Sequence, residues 1–452
     1  MKIKYRIMKR IIPLTLCLTM MFSMLSLSTA SAAGADMRIA GSNRYQTAML
    51  VADSLKEQLN VDKFETIIVA SGETYADALA GSYLACVKRA PILIVNKYNE
   101  ATVKNYIVKN IKTNGTIYLL GGTGAVSKDF ESSLKSVGKV KRLGGSDRFE
   151  TNMKILNEAG IGNEEILLCS AMNFADSLSA SAVGKPILLV DTTLNEAQKN
   201  LIKQAGTDVC YMIGGTAAVS TAVENQLIYL GKQAERIAGE NRFETSAYVA
   251  ETFFGIYENT VVVASGDDFP DGLVGGPLSA AMGVPLILVN DMNVYFASAY
   301  TGLSVTEYIV ALGGKSLISD RTIESLRPMS LKVLNLVNKE RNAAGLDSLA
   351  IDKGVNIVAQ VKALDMAYNG YFDHVSPTYG DPFEMLEFFG IEFMTAGENI
   401  ARRPWTPEQV MDIWMNSPGH RANILDPDFT HIGIGYTIDE WGIPYWTQMF
   451  IG

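Results

Sequence analysis

Three times along the chain the apolar positions fall into the same series. Short runs of aliphatic and β-branched residues (Ile67–Ala70, Ile166–Cys169, Val261–Ala264) follow helical stretches and precede polar turns ending in Asp77, Asp176 or Asp271. A second run follows in each copy: Pro91-Ile92-Leu93-Ile94, Pro186-Ile187-Leu188-Leu189 and Pro285-Leu286-Ile287-Leu288. A third ends in Gly121-Gly122, Gly214-Gly215 or Gly313-Gly314. Runs of this length between helical patterns predict βα units on a mostly parallel sheet. Each series opens alike, on Arg38-Ile39-Ala40-Gly41-Ser42-Asn43-Arg44-Tyr45-Gln46-Thr47, on Arg142 to Thr151 and on Arg236 to Thr245. Such self-similarity predicts three tandem α/β modules, over 37–130, 138–230 and 235–327, packed around a pseudo-threefold axis.

The period changes after Arg327-Pro328. Leu331, Leu334 and Val337 begin an amphipathic helix that ends near Gly345, and a second is expected from about Asp352 to Tyr368. Thr406-Pro407 makes a cap and first-turn pair for a third, running to about Asn416. Residues 432–436 and 445–450 alternate like two antiparallel strands. Helices around a short sheet give an α+β or α-β-α sandwich over 331–452.

Charge and composition narrow the function. The 452 residues carry 39 Lys+Arg against 48 Asp+Glu, a net charge of −9, which argues against a nucleic-acid binder. The N-terminus reads as an export signal over 1–32. A basic start (Lys2, Lys4, Arg6, Lys9, Arg10) leads to an apolar run from Ile11 to about Leu27, then to the small-residue pattern Ala30-Ser31-Ala32. Cleavage there removes five positive charges and no negative ones, taking −9 to −14. No second stretch has the length of a membrane span, so a secreted, soluble product is expected.

The copies also read one another. Cys86 stands where the sister copies have Ser181 and Ala280, Cys169 where they have Ala70 and Ala264, and Cys210 where they have Ile117 and Ile309. Each cysteine replaces a small or apolar residue and reads as core filler, not as a thiol catalyst or disulfide partner. An Arg (Arg44, Arg148, Arg242) and the turn Asp recur in every copy. They read as a partly buried Arg–carboxylate pair within each copy, fixing loop geometry, in preference to a ligand site. The Gly-Gly turns read as tight β-to-α connections more than as phosphate cradles. The second copy departs at the first turn, with Ala171-Met172 where the others have Ser-Gly.

Together these motifs resemble the clostridial-type cell wall binding repeat 2, over roughly 37–327. The resemblance implies non-covalent anchoring to an anionic wall glycopolymer. It also implicates the Pro-Ile-Leu segments in binding: Pro91, Ile92 and Leu93; Pro186, Ile187, Leu188 and Leu189; Pro285, Leu286, Ile287 and Leu288. Charge pairing would fall to nearby Lys and Arg.

All three histidines, His374, His420 and His431, lie beyond residue 370, so imidazole chemistry belongs to the last domain. If His374, Glu398 and His420 converge, two imidazoles and a carboxylate make an open three-ligand zinc site. The default is capped turns and hydrogen-bonded histidines, and His431 reads as a structural or rim residue. Gly397-Glu398-Asn399-Ile400, Ser417-Pro418-Gly419-His420-Arg421-Ala422-Asn423 and His431-Ile432-Gly433-Ile434-Gly435-Tyr436 resemble the bacterial branch of the CAP superfamily, the SCP-like extracellular domains. That resemblance implies an α-β-α sandwich with a cavity lined by His374, Glu398 and His420, in some members holding a divalent metal. The second acidic position of the eukaryotic tetrad falls near Asn416-Ser417, which are not acidic. The expectation is a wall-anchored surface protein displaying a CAP domain that binds a metal, lipid or small ligand. A metal-dependent hydrolase with Glu398 as base, or a structural surface-layer component, are the alternatives.

Overall fold

The computed structural model describes residues 37–452 apart from 175, 257 and 440. The expected export signal lies outside the described residues. Among those described, no helix is long and apolar enough to cross a membrane. The chain divides into a repeat unit and a C-terminal unit.

The repeat unit contains three four-stranded parallel sheets whose strands are Met37–Ile39 (β1), Phe64–Ser71 (β2), Ile92–Val95 (β3), Ile111–Leu120 (β4), Lys139–Leu143 (β5), Ile166–Ser170 (β6), Ile187–Val190 (β7), Val209–Ile213 (β8), Gln233–Ile237 (β9), Thr260–Ser265 (β10), Leu286–Val289 (β11) and Tyr308–Leu312 (β12). The orders are β3-β2-β4-β5, β7-β6-β8-β9 and β11-β10-β12-β1. Sheets and sequence copies are therefore offset. The opening strand of each copy completes the sheet of the copy before it, and β1 returns to complete the third, Ile39 lying opposite Leu312. The three modules thus close into a ring.

The same bonds recur at each junction. Gly121 N–H donates to Leu143 O, Gly214 to Ile237 O and Gly313 to Ile39 O, at 2.8, 2.8 and 2.9 Å. The opening arginines Arg142, Arg236 and Arg38 donate through Nη1 to the carbonyls of Gly121, Gly214 and Gly313, each at 2.9 Å. These glycines have φ of +91°, +103° and +103°, and a Cβ on any of them would overlap the Asp77, Asp176 or Asp271 side chain. The first glycine of each Gly-Gly is thus required twice, by its left-handed backbone and by the carboxylate packed on it.

The cysteines among the described residues, Cys86, Cys169 and Cys210, are free; Cys169 and Cys210 are fully buried, and burial pushes their thiols up to about 12 and about 11. They stay protonated and inert at neutral pH.

The C-terminal unit is a sheet with helices on both faces. Its strands are Ala350–Ile351 (β13), Ala396–Arg402 (β14), His431–Ile438 (β15) and Pro444–Ile451 (β16), in the order β13-β15-β16-β14. On one face Ile432, Ile434, Trp446 and Phe450 pack with Val333 and Val337 of the helix Met329–Ala343 and with Trp414 of the helix Pro407–Asn416. On the other, the helix Lys353–Asn369 lies directly on β15. A Cβ on Gly433 or Gly435 would overlap the backbone of Val355 or Ala359, so the Ile-Gly-Ile-Gly pattern encodes a close helix–strand approach. Asn356 and Gln360 accept from Ile434 N–H and Tyr436 N–H at 3.0 Å, covering β15 where the two-residue β13 leaves it unpaired.

Ring closure has a direct test. Ile39 is only 5% exposed, so Ile39→Ala should cost about 2–5 kcal/mol in urea denaturation of the repeat unit. Met37→Ala, at the exposed end of the same strand, should change it little. Equal effects from both would contradict a closed ring.

Candidate functional site

Two constellations of polar and aromatic side chains stand out, one in each unit. In the repeat unit the turn aromatics Tyr75, Phe174 and Phe269 meet in a triangle, with ring centroids 5.6, 5.6 and 6.0 Å apart. One comes from each copy, so they mark the pseudo-threefold axis. Each ring carries an arginine of the next copy: Arg148 lies 6.0 Å from Tyr75, Arg242 5.5 Å from Phe174 and Arg44 5.8 Å from Phe269. Such spacing is within cation–π reach. Each arginine also donates to a turn carbonyl of its own copy, Arg44 to Gly72 at 3.2 Å, Arg242 to Gly266 at 2.6 Å and Arg148 to Ala171.

This corrects two expectations. The arginine does not form a bidentate pair with the Asp of its own copy; it bonds a carbonyl and stacks across the junction. The carboxylate it does meet, Asp268 at 3.1 Å from Arg44, belongs to another copy. The turn Asp is instead buried against the glycine turn, and desolvation raises Asp77 and takes Asp271 up to about 6. The second copy, moreover, keeps the serine. Ser71, Ser170 and Ser265 each accept, through Oγ, the N–H two residues on, so Ser170-Ala171 is the counterpart of Ser71-Gly72 and Ala171 alone departs.

In the C-terminal unit the structure brings His374 and Glu398 together. Glu398 stands on β14, 7% exposed, and its Oε1 lies 2.6 Å from His374 Nδ1. The His374 loop is held by Asp365, fully buried on the helix Lys353–Asn369. Its carboxylate accepts from Tyr371 Oη (2.5 Å), Ser376 Oγ (2.6 Å), Thr378 Oγ1 (3.0 Å) and Asn369 Nδ2 (2.7 Å). One turn earlier, buried Lys362 donates to His374 O at 2.6 Å. His420 lies on the short helix Pro418–Ile424. That helix is tied to β14 by Asn399 Nδ2, which donates to His420 O, and by Asn423 Nδ2, which donates to Glu398 O and Asn399 Oδ1. Glu398 Oε2 and His420 Nδ1 are both buried without a hydrogen-bond partner. His431 is exposed, paired with Thr430 Oγ1 at 2.9 Å, and stands apart from this group.

The electrostatics follow the geometry. The bond to Glu398 raises His374 above its ordinary value of 6.5, while burial raises Glu398. Burial and the neighbouring His374 charge hold His420 below its ordinary value. Burial also lowers Lys362, although Glu398, Asp365 and Asp373 act against it. The set is one carboxylate fixing one imidazole, a second imidazole that stays neutral, and a buried ammonium behind them. Lys362 and Asp365 were missed in the sequence. Their only signal was two charges three residues apart among Val361, Ala363, Leu364 and Met366, on a helix with no polar face there.

The profile of the cell wall binding domain 2 (CWB2) matches residues 38–131, 142–224 and 236–324, more than half the chain. The chain belongs to the CWB2 family. Its C-terminal part, residues 334–450, matches the cysteine-rich secretory protein family, CAP. N-acetylmuramoyl-L-alanine amidase LytC of Bacillus subtilis (strain 168) is 30% identical over 345 residues, 75% of this chain and 64% of that protein. The uncharacterized protein YkwD of the same organism is 54% identical over 121 residues, 27% of this chain and 46% of its own length. The chain thus spans less than two thirds of either relative. Among solved structures, Cwp8 from Clostridium difficile superposes with a TM-score of 0.58 at 26% identity, covering 65% of this chain and 51% of that one.

Within the CWB2 repeats, the Pro-Ile-Leu segments implicated in polymer binding turn out to be β3, β7 and β11 with the proline before each. All are buried, from Pro91, Ile92 and Leu93 through Pro186, Ile187, Leu188 and Leu189 to Pro285, Leu286, Ile287 and Leu288. The prolines begin edge strands, where a missing N–H costs nothing, and their carbonyls accept from Ile68, Leu167 and Val262 at 3.0, 2.9 and 3.0 Å. Side chains so placed offer no surface to a polymer; the segments act as scaffold.

The His374–Glu398 pair sets a pH dependence. His374 has a raised folded pKa, so its stabilisation is fully present below pH 6.5 and is lost as pH rises through the folded value. In NMR titrations with chelator present, Glu398→Gln should bring the His374 midpoint down toward its ordinary value. An unchanged midpoint would show that the bond does not control the imidazole.

Proposed function

We propose that the chain is exported, is held non-covalently to an anionic cell wall glycopolymer by its CWB2 repeats, and displays the CAP domain at the surface. The carrying observation is that three CWB2 matches and one CAP match together fill most of the chain. With the Pro-Ile-Leu side chains buried, anionic groups of the polymer are met by lysines and arginines that the strands position. The test uses the full mature chain on isolated walls. Binding should fall at least about tenfold when the anionic polymer is chemically stripped and the peptidoglycan kept, and should weaken with salt. Undiminished binding to stripped walls would remove the polymer from the account.

In the CAP domain, His374, Glu398 and His420 take a divalent metal such as zinc, or a small polar ligand. The fit rests on Glu398 Oε2 and His420 Nδ1, two buried polar atoms without partners. His374 and His420 would hold the metal. Glu398, through Oε1, fixes the His374 tautomer with Nε2 free, as carboxylates do for metal-bound histidines. Bound zinc would supply Lewis acidity there. Lys362 lies close enough to weaken a second positive charge, which favours a modest affinity and binding over turnover. Calorimetry with Zn²⁺ should show uptake near one equivalent that weakens as pH falls, because ligand histidines must be neutral. His374→Ala with His420→Ala should abolish it while leaving the thermal transition in place. No uptake by the unmodified chain would leave only the small-ligand reading.

A further inference from the structure

A concentration of positive charge lies at the opposite end of the first sheet from the glycine turns. A cleft of about 710 Å³ opens at the N-terminal ends of β2, β4 and β5, lined by five lysines, Lys63, Lys104, Lys112, Lys135 and Lys139. Lys112 pairs with Glu65 at 2.7 Å, both largely exposed. Among the described residues no carboxylate pairs with the other four. In a chain with a net charge of −9, five ammonium groups on one concavity oppose the overall field and focus positive potential locally.

The long strand at its rim is particular to the first copy. β4 is ten residues long, whereas β8 and β12 have five. The ladder explains the excess: Phe64 lies opposite Ile111 but Thr66 opposite Thr116, so the partner of a two-residue step bulges by three residues. The bulge, which turns at Asn114 with φ +63°, carries Lys112 to the cleft rim. The second copy lacks the bulge, and two of the five lysines have uncharged counterparts there. Aligned through the Ile67–Ile166 equivalence, Lys63 corresponds to Gly162, and Lys139 corresponds to Gln233, since each lies three residues before the opening arginine.

We propose that this cleft is a binding site for a polyanionic glycan strand, bearing phosphate or carboxylate groups along its length. It is the contact through which the first repeat grips the wall polymer. The inference rests on the wall-polymer reading above. Lysines suit such a ligand: compact charges on flexible stems follow spaced anions without demanding a fixed bidentate geometry.

The test compares the full chain with Lys63→Glu/Lys112→Glu/Lys135→Glu and with the single control Lys203→Glu, an exposed lysine of the second copy. Binding to isolated walls is measured as a function of salt. The triple variant should lose affinity about tenfold or more at low ionic strength and show a shallower salt dependence, with the control unchanged. All three proteins should keep the same thermal transition, since the substituted side chains are exposed. Inorganic polyphosphate and polygalacturonate, added at equal charge, identify the preferred anion by which displaces the unmodified chain better; displacement by neither overturns the inference. If the unmodified chain binds walls through the anionic polymer and the triple variant binds equally well, the cleft assignment fails while the wall-binding reading stands. If the unmodified chain does not bind, both fall together.

Discussion

The bond from the opening arginine of each copy to the glycine carbonyl of the copy before it is the constraint on which the repeat unit depends. It occurs three times at one length, and the third instance joins Arg38, near the start of the unit, to Gly313, near its end. It reinforces the ladder that joins the final strand to each sheet, and without β1 in that place β12 would present an open edge, the usual starting point for unwanted pairing. An open array would need capping repeats at both ends; a ring of three needs none. The axis shows the same logic, because each aromatic of the central triangle is covered by an arginine from the next copy. The recurring arginines serve the junctions, whereas Thr47, Thr151 and Thr245 accept a glycine N–H within their own copies.

The CAP site is built on the opposite principle. Its polar groups are few and held from several elements at once: buried Glu398 from a strand, exposed His374 from a loop pinned by Asp365, and half-buried His420 from a helix tied down by Asn399 and Asn423. A buried carboxylate with one oxygen satisfied and the other free is costly unless something completes it. The buried Lys362 reduces that cost electrostatically without touching the free oxygen. The arrangement keeps an acceptor available while restraining the charge that acceptor can attract.

Much of this was legible in the sequence, for physical reasons. The three-fold recurrence gave the parallel modules, because a strand buried on both faces must be continuously apolar and a tight turn at positive φ must be glycine. The alternation in residues 432–436 and 445–450 gave the antiparallel pair. What stayed hidden was anything set by closure. Nothing in Arg38-Ile39 says that this strand belongs to the third sheet, because pairing partners 270 residues away leave no local trace. The same blindness made Arg44 and Asp77 look like partners, when each faces a different junction. The Pro-Ile-Leu segments were implicated by resemblance and not by pattern; as edge strands their side chains are buried. In the CAP domain Lys362 and Asp365 were invisible because a helical wheel of Lys353–Asn369 mixes them among residues buried on every side.

The differences among the copies follow from where the ring leaves freedom. Junction positions are locked: the first glycine of each turn cannot carry a Cβ, and the opening arginine has a carbonyl waiting in every case. Core positions tolerate exchange of similar volume, which is how cysteine came to replace serine, alanine or isoleucine without acquiring a role. The N-terminal ends of the strands take no part in any of the junction bonds. An insertion there, such as the bulge in β4, disturbs neither closure nor axis, so that end of one copy is free to gather charge. A scaffold that spends its arginines on holding itself together has to recruit lysines, at the edge it does not use, for anything anionic it is to hold.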